Sequence, residues 1–179
     1  MLETLPLRIF LIGFIASGKT TIGKSLSYSL NYKFIDTDEE IEKKENIDLG
    51  EFIKRKGERF FREVEWGIIK RLKDEEKAVI ALSSGAGASK SIMDFIKRIG
   101  LVIYLNPQWS IIAKRIEEKK KLLPDKINIE ELYSIYLLRN KIYKKADIVV
   151  NFYGDENIGE IVKRIERLIR ETYEVPNNI

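Results

Sequence analysis

The segment GFIASGKTT, residues 13–21, has the residue types and the spacing of a loop that holds phosphate groups. It fits the pattern GxxxxGK[ST], with a predicted strand before it and a predicted helix after it. In such a loop, backbone N–H groups face an anion, Lys19 reaches the outer phosphates, and the Thr20 hydroxyl can ligate Mg²⁺. The alternative is a glycine-rich turn without a ligand. We favour a nucleoside triphosphate site, formed by Gly13, Ala16, Ser17, Gly18, Lys19, Thr20 and Thr21.

Two carboxylates follow the second predicted strand, in the segment FIDTDEEIE. Asp36 and Asp38 are two residues apart, which on a strand puts both side chains on one face, at the edge where parallel sheets bind ligands. One carboxylate could hold Mg²⁺ through water, and the other could receive a proton from an attacking hydroxyl. The alternative is an ordinary helix cap at Asp38. Beside the phosphate loop, the catalytic interpretation is favoured.

An arginine and a glutamate lie three residues apart in the segment GERFFREVE, on a predicted helix. Arg62 and Glu65 can therefore pair, with Phe61 beside them. A guanidinium held by a glutamate is a rigid fork for a carboxylate ligand. Taken alone, the same pattern is more typical of a surface ion pair on an amphipathic helix.

Residue types that the sequence lacks restrict its chemistry. Without cysteine there are no disulfides or thiolate metal sites, which favours an intracellular compartment. Without histidine, a general base must be a carboxylate, a lysine or a tyrosine. The 32 basic and 28 acidic residues are interspersed, so the net charge of +4 favours an anionic small substrate over a nucleic acid. The N-terminal segment has no signal-peptide or anchor pattern, and we expect a cytoplasmic protein without membrane contact.

Short apolar runs alternate with amphipathic stretches along the chain. The apolar runs predict five buried strands, at residues 8–12, 33–36, 78–83, 101–105 and 147–151. Helical spacing of apolar residues predicts helices at 19–30, 58–72, 129–143 and 158–173. Strands separated by helices imply one three-layer α/β domain over residues 1–179, with a five-stranded parallel sheet. Two segments interrupt this pattern: a small-residue loop that a ligand can approach (83–89) and an exposed lid (about 117–127).

Taken together, these segments resemble shikimate kinase, a family of small phosphate-loop enzymes. The resemblance covers about residues 8–151 and rests on GFIASGKTTIGKSL, FIDTDEEIE, GERFFREVE, VIALSSGAG, VIYL and LLRNKIYKKAD. It implies the nucleoside-monophosphate-kinase type of fold, with a five-stranded parallel sheet and a lid. It also implies transfer of the γ-phosphoryl group of ATP, with Mg²⁺, to a ring hydroxyl of shikimate.

The resemblance further implies roles for individual residues. Asp36, with Thr20, matches the family's Mg²⁺ position, and Asp38 matches the aspartate that grips the substrate hydroxyls and acts as base. Arg62 matches the arginine that binds the shikimate carboxylate, with Glu65 bracing it. The acid-binding region therefore runs over about residues 36–65. Two further substrate contacts are implied: Phe61, which lines the pocket, and a second arginine, Arg139.

The sequence departs from the family pattern in two places. Ser83, Ser84 and Gly85 stand where the family has three consecutive glycines, with Ser84 and Gly85 still expected to contact the substrate. In the lid, Lys120 stands in for an arginine that reaches the transferring phosphate, with Lys119 or Lys121 as alternatives in the same lysine run. Lysine supplies the charge but not the planar fork.

The sequence therefore predicts an ATP- and Mg²⁺-dependent kinase for shikimate, acting as a monomer. Catalysis would place Lys19 and Lys120 around the γ-phosphate and Asp38 at the acceptor hydroxyl. Two alternatives stay open: a kinase of the same fold for another hydroxy acid such as gluconate, and a non-catalytic nucleotide-binding module. A nucleic-acid binder is disfavoured, because no basic stripe with interleaved aromatic residues is present.

Overall fold

A five-stranded parallel sheet forms the centre of the protein. The computed structural model describes residues 5–118, 128–154 and 156–173. Its strands are β1 (Arg8–Ile12), β2 (Lys33–Asp36), β3 (Ala78–Ala81), β4 (Leu101–Pro107) and β5 (Ile148–Phe152). They pair in the order β2-β3-β1-β4-β5. The predicted α/β fold is confirmed, with β3 two residues shorter than expected and β4 two residues longer.

Helices connect the strands and cover both faces of the sheet. They are α1 (Lys19–Leu30), α2 (Thr37–Glu45), α3 (Leu49–Lys56), α4 (Glu58–Arg71), α5 (Ser84–Gly87), α6 (Lys90–Ile99), α7 (Trp109–Glu118), α8 (Ile129–Tyr143) and α9 (Ile158–Tyr173), with a 3-10 turn at Leu72–Asp74. The four predicted helices are confirmed to within one residue. The expected loop at 83–89 is in part wrong, because its centre forms the single turn α5. Within the described residues, no helix has both the length and the apolar character needed to cross a bilayer.

Alternate residues of each central strand face two separate cores. In β1, Phe10 and Ile12 face the helices α4, α6, α7 and α8, whereas Ile9 and Leu11 face α1 and α9. All four side chains are fully buried. This two-sided burial explains why β1, β3 and β4 are continuous apolar runs rather than alternating ones. The prediction of five buried strands is wrong for the edge strands β2 and β5, which are partly exposed.

A third, smaller apolar cluster fixes the helices beside the open edge of the sheet. It consists of Ile41, Phe52, Phe61, Val64 and Ile68, from α2, α3 and α4. It packs those helices together near the carboxyl end of β2. Three strand ends then converge there: β1 leads into the phosphate loop, β2 into α2, and β3 into Ser83.

Candidate active site

A cavity of about 640 Å³ opens at these strand ends. Most of the residues that the sequence singled out line it: Ala16, Gly18, Lys19, Thr20, Thr21, Asp36, Asp38, Phe61, Arg62, Ser84, Gly85 and Arg139. Gly13 and Ser17 are not on its wall. The fold therefore gathers the three sequence motifs, although they are far apart along the chain, around one space.

The phosphate loop ends in a helix start that has no side-chain cap. Gly18 is the N-cap of α1 with a left-handed backbone, φ 93°, and the first turn of α1 contains no acidic residue. The first N–H groups of α1 therefore have no competing carboxylate within that turn, which suits an anion.

The loop before α1 also has special backbone requirements. Gly13 is needed because a Cβ there would lie 2.7 Å from the Leu105 carbonyl oxygen. Ala16 has a positive φ of 60°, which is uncommon for a residue with a side chain.

Lys19 curls back over the loop that precedes it. Its Nζ donates to the carbonyl oxygens of Gly13 and Phe14, at 3.0 Å each. Burial lowers the pKa of Lys19 to about 8, against the opposing charges of Asp38 and Asp36. A phosphate oxygen is a stronger acceptor than a carbonyl oxygen, so Lys19 is placed to contact the phosphates.

Thr20 and Asp36, the two residues expected near Mg²⁺, are in direct contact. The Thr20 hydroxyl donates to Asp36 Oδ2 at 2.7 Å. These are hard oxygen ligands of the kind that Mg²⁺ prefers. Among the described residues, no cluster of three or more His, Cys, Asp or Glu side chains could hold a metal ion. The pair therefore fits an ion that shares its coordination sphere with phosphates and water.

The two aspartates do not lie on one strand face as predicted. The chain turns into α2 directly after β2, so Asp36 is the N-cap and Asp38 lies in the first helical turn. The Asp38 N–H donates to Asp36 Oδ1 at 3.1 Å. The prediction that both side chains lie on one strand face was therefore wrong, and the alternative of a helix cap applies to Asp36 rather than to Asp38. Both carboxylates nevertheless line the cavity.

Asp38 has a buried carboxylate oxygen that is free to accept a hydrogen bond. Its Oδ1 is one of three buried side-chain polar atoms without a hydrogen-bond partner in the described parts of the chain. Burial, together with the charge of Asp36, raises the pKa of Asp38 to about 6, while Lys19 opposes the shift. The group is therefore ionised at neutral pH but more basic than an ordinary aspartate, which suits a proton acceptor.

Arg62 is held by two glutamates on its own helix and by one aromatic ring. Its Nη1 donates to Glu65 Oε2 at 2.9 Å, and its Nη2 to Glu58 Oε1 at 3.2 Å. Its guanidinium carbon lies 4.8 Å from the centre of the Phe61 ring. The Glu65 side chain is only 1% exposed. The interpretation as a surface ion pair is therefore wrong, because the carboxylate that orients Arg62 is buried.

The second arginine approaches the same cavity from α8. Arg139 Nη1 donates to the Ser84 hydroxyl at 3.4 Å, and its guanidinium carbon lies 5.8 Å from the centre of the Phe14 ring. The Tyr143 hydroxyl donates to the Ser84 carbonyl oxygen at 2.6 Å and anchors α5 to α8. Ser84 therefore presents its hydroxyl, and not only its backbone, to the arginine side of the cavity.

Two residues at the site carried no signal that singled them out in the sequence. Arg115 lines the cavity, and its Nη1 donates to the Ala16 carbonyl oxygen at 3.1 Å. Phe14 lies within the phosphate-loop motif, but at a position where that motif accepts any residue. Arg115 lies on α7, an amphipathic helix without a motif.

The predicted lid lies outside the described residues beyond Glu118, and with it Lys119, Lys120 and Lys121.

Comparison with known proteins gives one consistent result. The family model described as shikimate kinase matches residues 15–170. The shikimate kinase of Aquifex aeolicus is 36% identical over 159 residues, which are 89% of this chain and 94% of that protein. The crystal structure of that enzyme superposes with a TM-score of 0.82, covering 94% of this chain and 99% of the other, at 35% identity. A shikimate kinase from Acinetobacter baumannii, solved in complex with shikimate, gives a TM-score of 0.85 at 26% identity and covers 95% and 96% of the two chains.

Proposed function

The chain belongs to the shikimate kinase family, and we propose on that basis that it transfers the γ-phosphoryl group of ATP to a ring hydroxyl of shikimate, giving shikimate 3-phosphate. One observation carries the proposal: the phosphate loop, the basic carboxylate Asp38 and the two arginines Arg62 and Arg139 line the same cavity. A site that only binds a nucleotide would have no use for a paired arginine clamp next to a free carboxylate. This activity belongs to the biosynthesis of aromatic amino acids.

The two arginines determine how the acid would bind. Arg62 and Arg139 come from α4 and α8, so they approach the cavity from different helices. A carboxylate between two guanidinium groups is fixed in direction as well as in charge. With the acid end held there, the ring hydroxyls point towards Asp38 and the phosphate loop.

Asp38 would accept the proton of the attacking hydroxyl. As the hydroxyl oxygen forms its bond to the γ-phosphorus, the bond between that phosphorus and the β–γ bridging oxygen breaks, and ADP leaves. The hydroxyl proton passes to the carboxylate of Asp38, whose Oδ1 accepts no hydrogen bond from any residue that the structure describes. A pKa of about 6 makes this carboxylate a better acceptor than an ordinary aspartate without removing its charge at neutral pH.

The phosphate end of the cavity would stabilise the charge that moves during transfer. The free N–H groups at the start of α1 and the ammonium of Lys19 hold the phosphate oxygens. Thr20 and Asp36 would hold Mg²⁺, which when bound neutralises charge on the transferring phosphates. We propose Lys120 as an additional cation at the γ-phosphate.

The substrate is tested by measuring ADP release with Mg-ATP and each of shikimate, quinate and gluconate. We expect strong stimulation by shikimate alone, because the chain belongs to the shikimate kinase family and the residues that match the family's acid site line one cavity. Stimulation by gluconate would instead indicate a kinase of the same fold for another acid. ATP binding without stimulation by any acid would indicate a nucleotide-binding module.

We further propose that residues 1–179 form a single kinase domain that acts as a monomer in the cytoplasm. The support for this is that the described residues given a role above, Lys19, Thr20, Asp36, Asp38, Arg62 and Arg139, all line one cavity of one chain. Light scattering on the purified protein, with and without substrates, tests the oligomeric state. A dimer of constant mass would contradict the proposal.

A further inference from the structure

Ser83 is a buried serine that makes hydrogen bonds in two directions. It is 6% exposed and lies directly after β3 and Leu82. Its hydroxyl donates to Glu65 Oε1 and accepts from the Ala86 N–H at 3.2 Å. A serine hydroxyl has one proton to donate, and here the whole donor capacity goes to the glutamate.

Glu65 links Ser83 to the arginine of the acid site. One of its oxygens, Oε2, accepts from Arg62, and the other, Oε1, accepts from Ser83. The Glu65 side chain is almost fully inaccessible to solvent, so water is not available to replace either partner. With both oxygens engaged, the plane of the carboxylate is fixed, and the plane of the guanidinium follows it.

We propose that Ser83 is a positioning residue of the acid-binding site, which acts through Glu65 on Arg62. This inference rests on the proposed role of Arg62 as a ligand of the shikimate carboxylate. Although Ser83 lies on the cavity wall, the Ser83 hydroxyl donates its one proton to Glu65 and has none left for a substrate. It sets the direction of the guanidinium and therefore the affinity for the acid.

Ser83 stands where the shikimate kinase pattern has the first of three glycines. The backbone of Ser83 has φ −53° and ψ 149°, which any residue adopts easily, so glycine is not needed here for conformational reasons. A glycine at this position would leave Glu65 Oε1 without its hydroxyl donor. Replacing Ser83 by the family's residue should therefore weaken acid binding in this chain rather than improve it.

The effect should be confined to acid binding. The backbone N–H of Ser83 donates to Thr37 Oγ1 at 2.9 Å, and Thr37 lies between the two site aspartates. A change of the Ser83 side chain leaves this backbone bond in place. Asp38 and the phosphate loop should therefore keep their geometry, and kcat should change little.

The first test measures steady-state kinetics for Ser83→Ala and Ser83→Gly. We expect KM for shikimate to rise roughly tenfold in both variants, the usual effect of losing one hydrogen bond to a charged group. We expect kcat and KM for ATP to stay within about twofold. Ser89→Ala is the matched control, because the hydrogen bond that the Ser89 hydroxyl makes in the described part of the chain is to the Ser91 hydroxyl, away from Glu65. An unchanged KM for shikimate, or an equal rise for ATP, would overturn the inference.

A second test asks whether Ser83 acts through the guanidinium. In an Arg62→Lys background no planar fork is left to orient, so adding Ser83→Ala should raise KM for shikimate by less than about twofold. A further rise of about tenfold would mean that Ser83 acts by another route. In a third variant, Ser83→Thr in the otherwise unmodified protein keeps a hydroxyl, and its KM for shikimate should stay near that of the wild type. Thermal unfolding of every variant shows which are folded.

The proposed function and this inference fail in different ways. If the unmodified protein shows no shikimate-dependent ADP release, the function is wrong. If it shows that activity and both Ser83 variants keep the wild-type KM for shikimate, the function stands and the positioning role is wrong.

Discussion

Gly85 lies directly against the guanidinium of Arg62, so closely that no side chain fits between them. A Cβ at Gly85 would lie 2.5 Å from Arg62 Nη2 and 2.6 Å from Nη1. The atoms that it would meet are the far end of a flexible side chain. A larger residue would therefore displace the guanidinium rather than disrupt the fold.

We expect Gly85→Ala to raise KM for shikimate about tenfold or more, because a shift of roughly 1 Å at a positioning group is costly. KM for ATP and the melting temperature should change little. Gly67→Ala is the matched control: a Cβ there meets nothing within 4 Å, and its helical position favours alanine by up to about 1 kcal/mol. Equal kinetics for Gly85→Ala and the wild type would place the acid site elsewhere.

Replacing Lys19 by methionine should abolish turnover while the protein stays folded. The long apolar side chain keeps the volume but removes the charge that contacts the phosphates, and we expect a loss of at least about 100-fold in kcat. Lys24→Met, on the same helix and more than half exposed, serves as control and should keep its activity. If Lys19→Met turns over at a comparable rate, the phosphate loop is assigned wrongly.

Arg62→Lys should separate the two substrates. The variant keeps a cation beside the buried Glu65 but loses the planar fork, so we expect KM for shikimate to rise at least about tenfold and KM for ATP to stay constant. Arg59→Lys, on the same helix but with a 95% exposed side chain, is the control. A parallel rise in both KM values would remove Arg62 from the acid site.

Asp38→Asn should stop turnover and stabilise the protein. Because the folded-state pKa of Asp38 is raised to about 6, its ionisation opposes folding, by up to about 3 kcal/mol once the pH exceeds that value. The penalty shrinks as the pH falls towards the unfolded pKa. The gain in the free energy of unfolding from Asp38→Asn should thus be about 1 kcal/mol smaller at pH 5 than at pH 8.

Denaturant unfolding at the two pH values measures this difference. Glu39→Gln, a half-exposed change in the same helical turn, is the control variant. A destabilised Asp38→Asn variant at pH 8 would show that the carboxylate is a structural group rather than a strained functional one.

Local sequence predicted those parts of the site that depend on neighbours along the chain. The spacing of the phosphate loop identified Lys19 and Thr20, and the i, i+3 spacing identified the pairing of Arg62 with Glu65. Such features follow from one turn of helix or one loop.

Features that depend on where distant elements pack could not be read from spacing. The contact between Ser83 and Glu65 joins residues 18 apart, and that of Arg115 with Ala16 joins residues 99 apart. Asp38 was wrongly placed on one strand face with Asp36, because β2 ends at Asp36 and α2 begins at Thr37. Helix α2 was not predicted, since it buries only one large apolar side chain, Ile41, and so shows little periodicity. Helix α3 was missed although Leu49, Phe52 and Ile53 have helical spacing, because its eight residues are too few for a periodic pattern to be distinctive.

The most direct test of the proposed activity is identification of the product. The purified protein is incubated with Mg-ATP and shikimate, and the reaction is followed by phosphorus NMR. We expect a phosphate monoester of shikimate to appear in equal amount to ADP, and neither to appear with Asp38→Asn. Formation of ADP with inorganic phosphate alone, or no ADP while ATP binding is intact, would contradict phosphoryl transfer to shikimate.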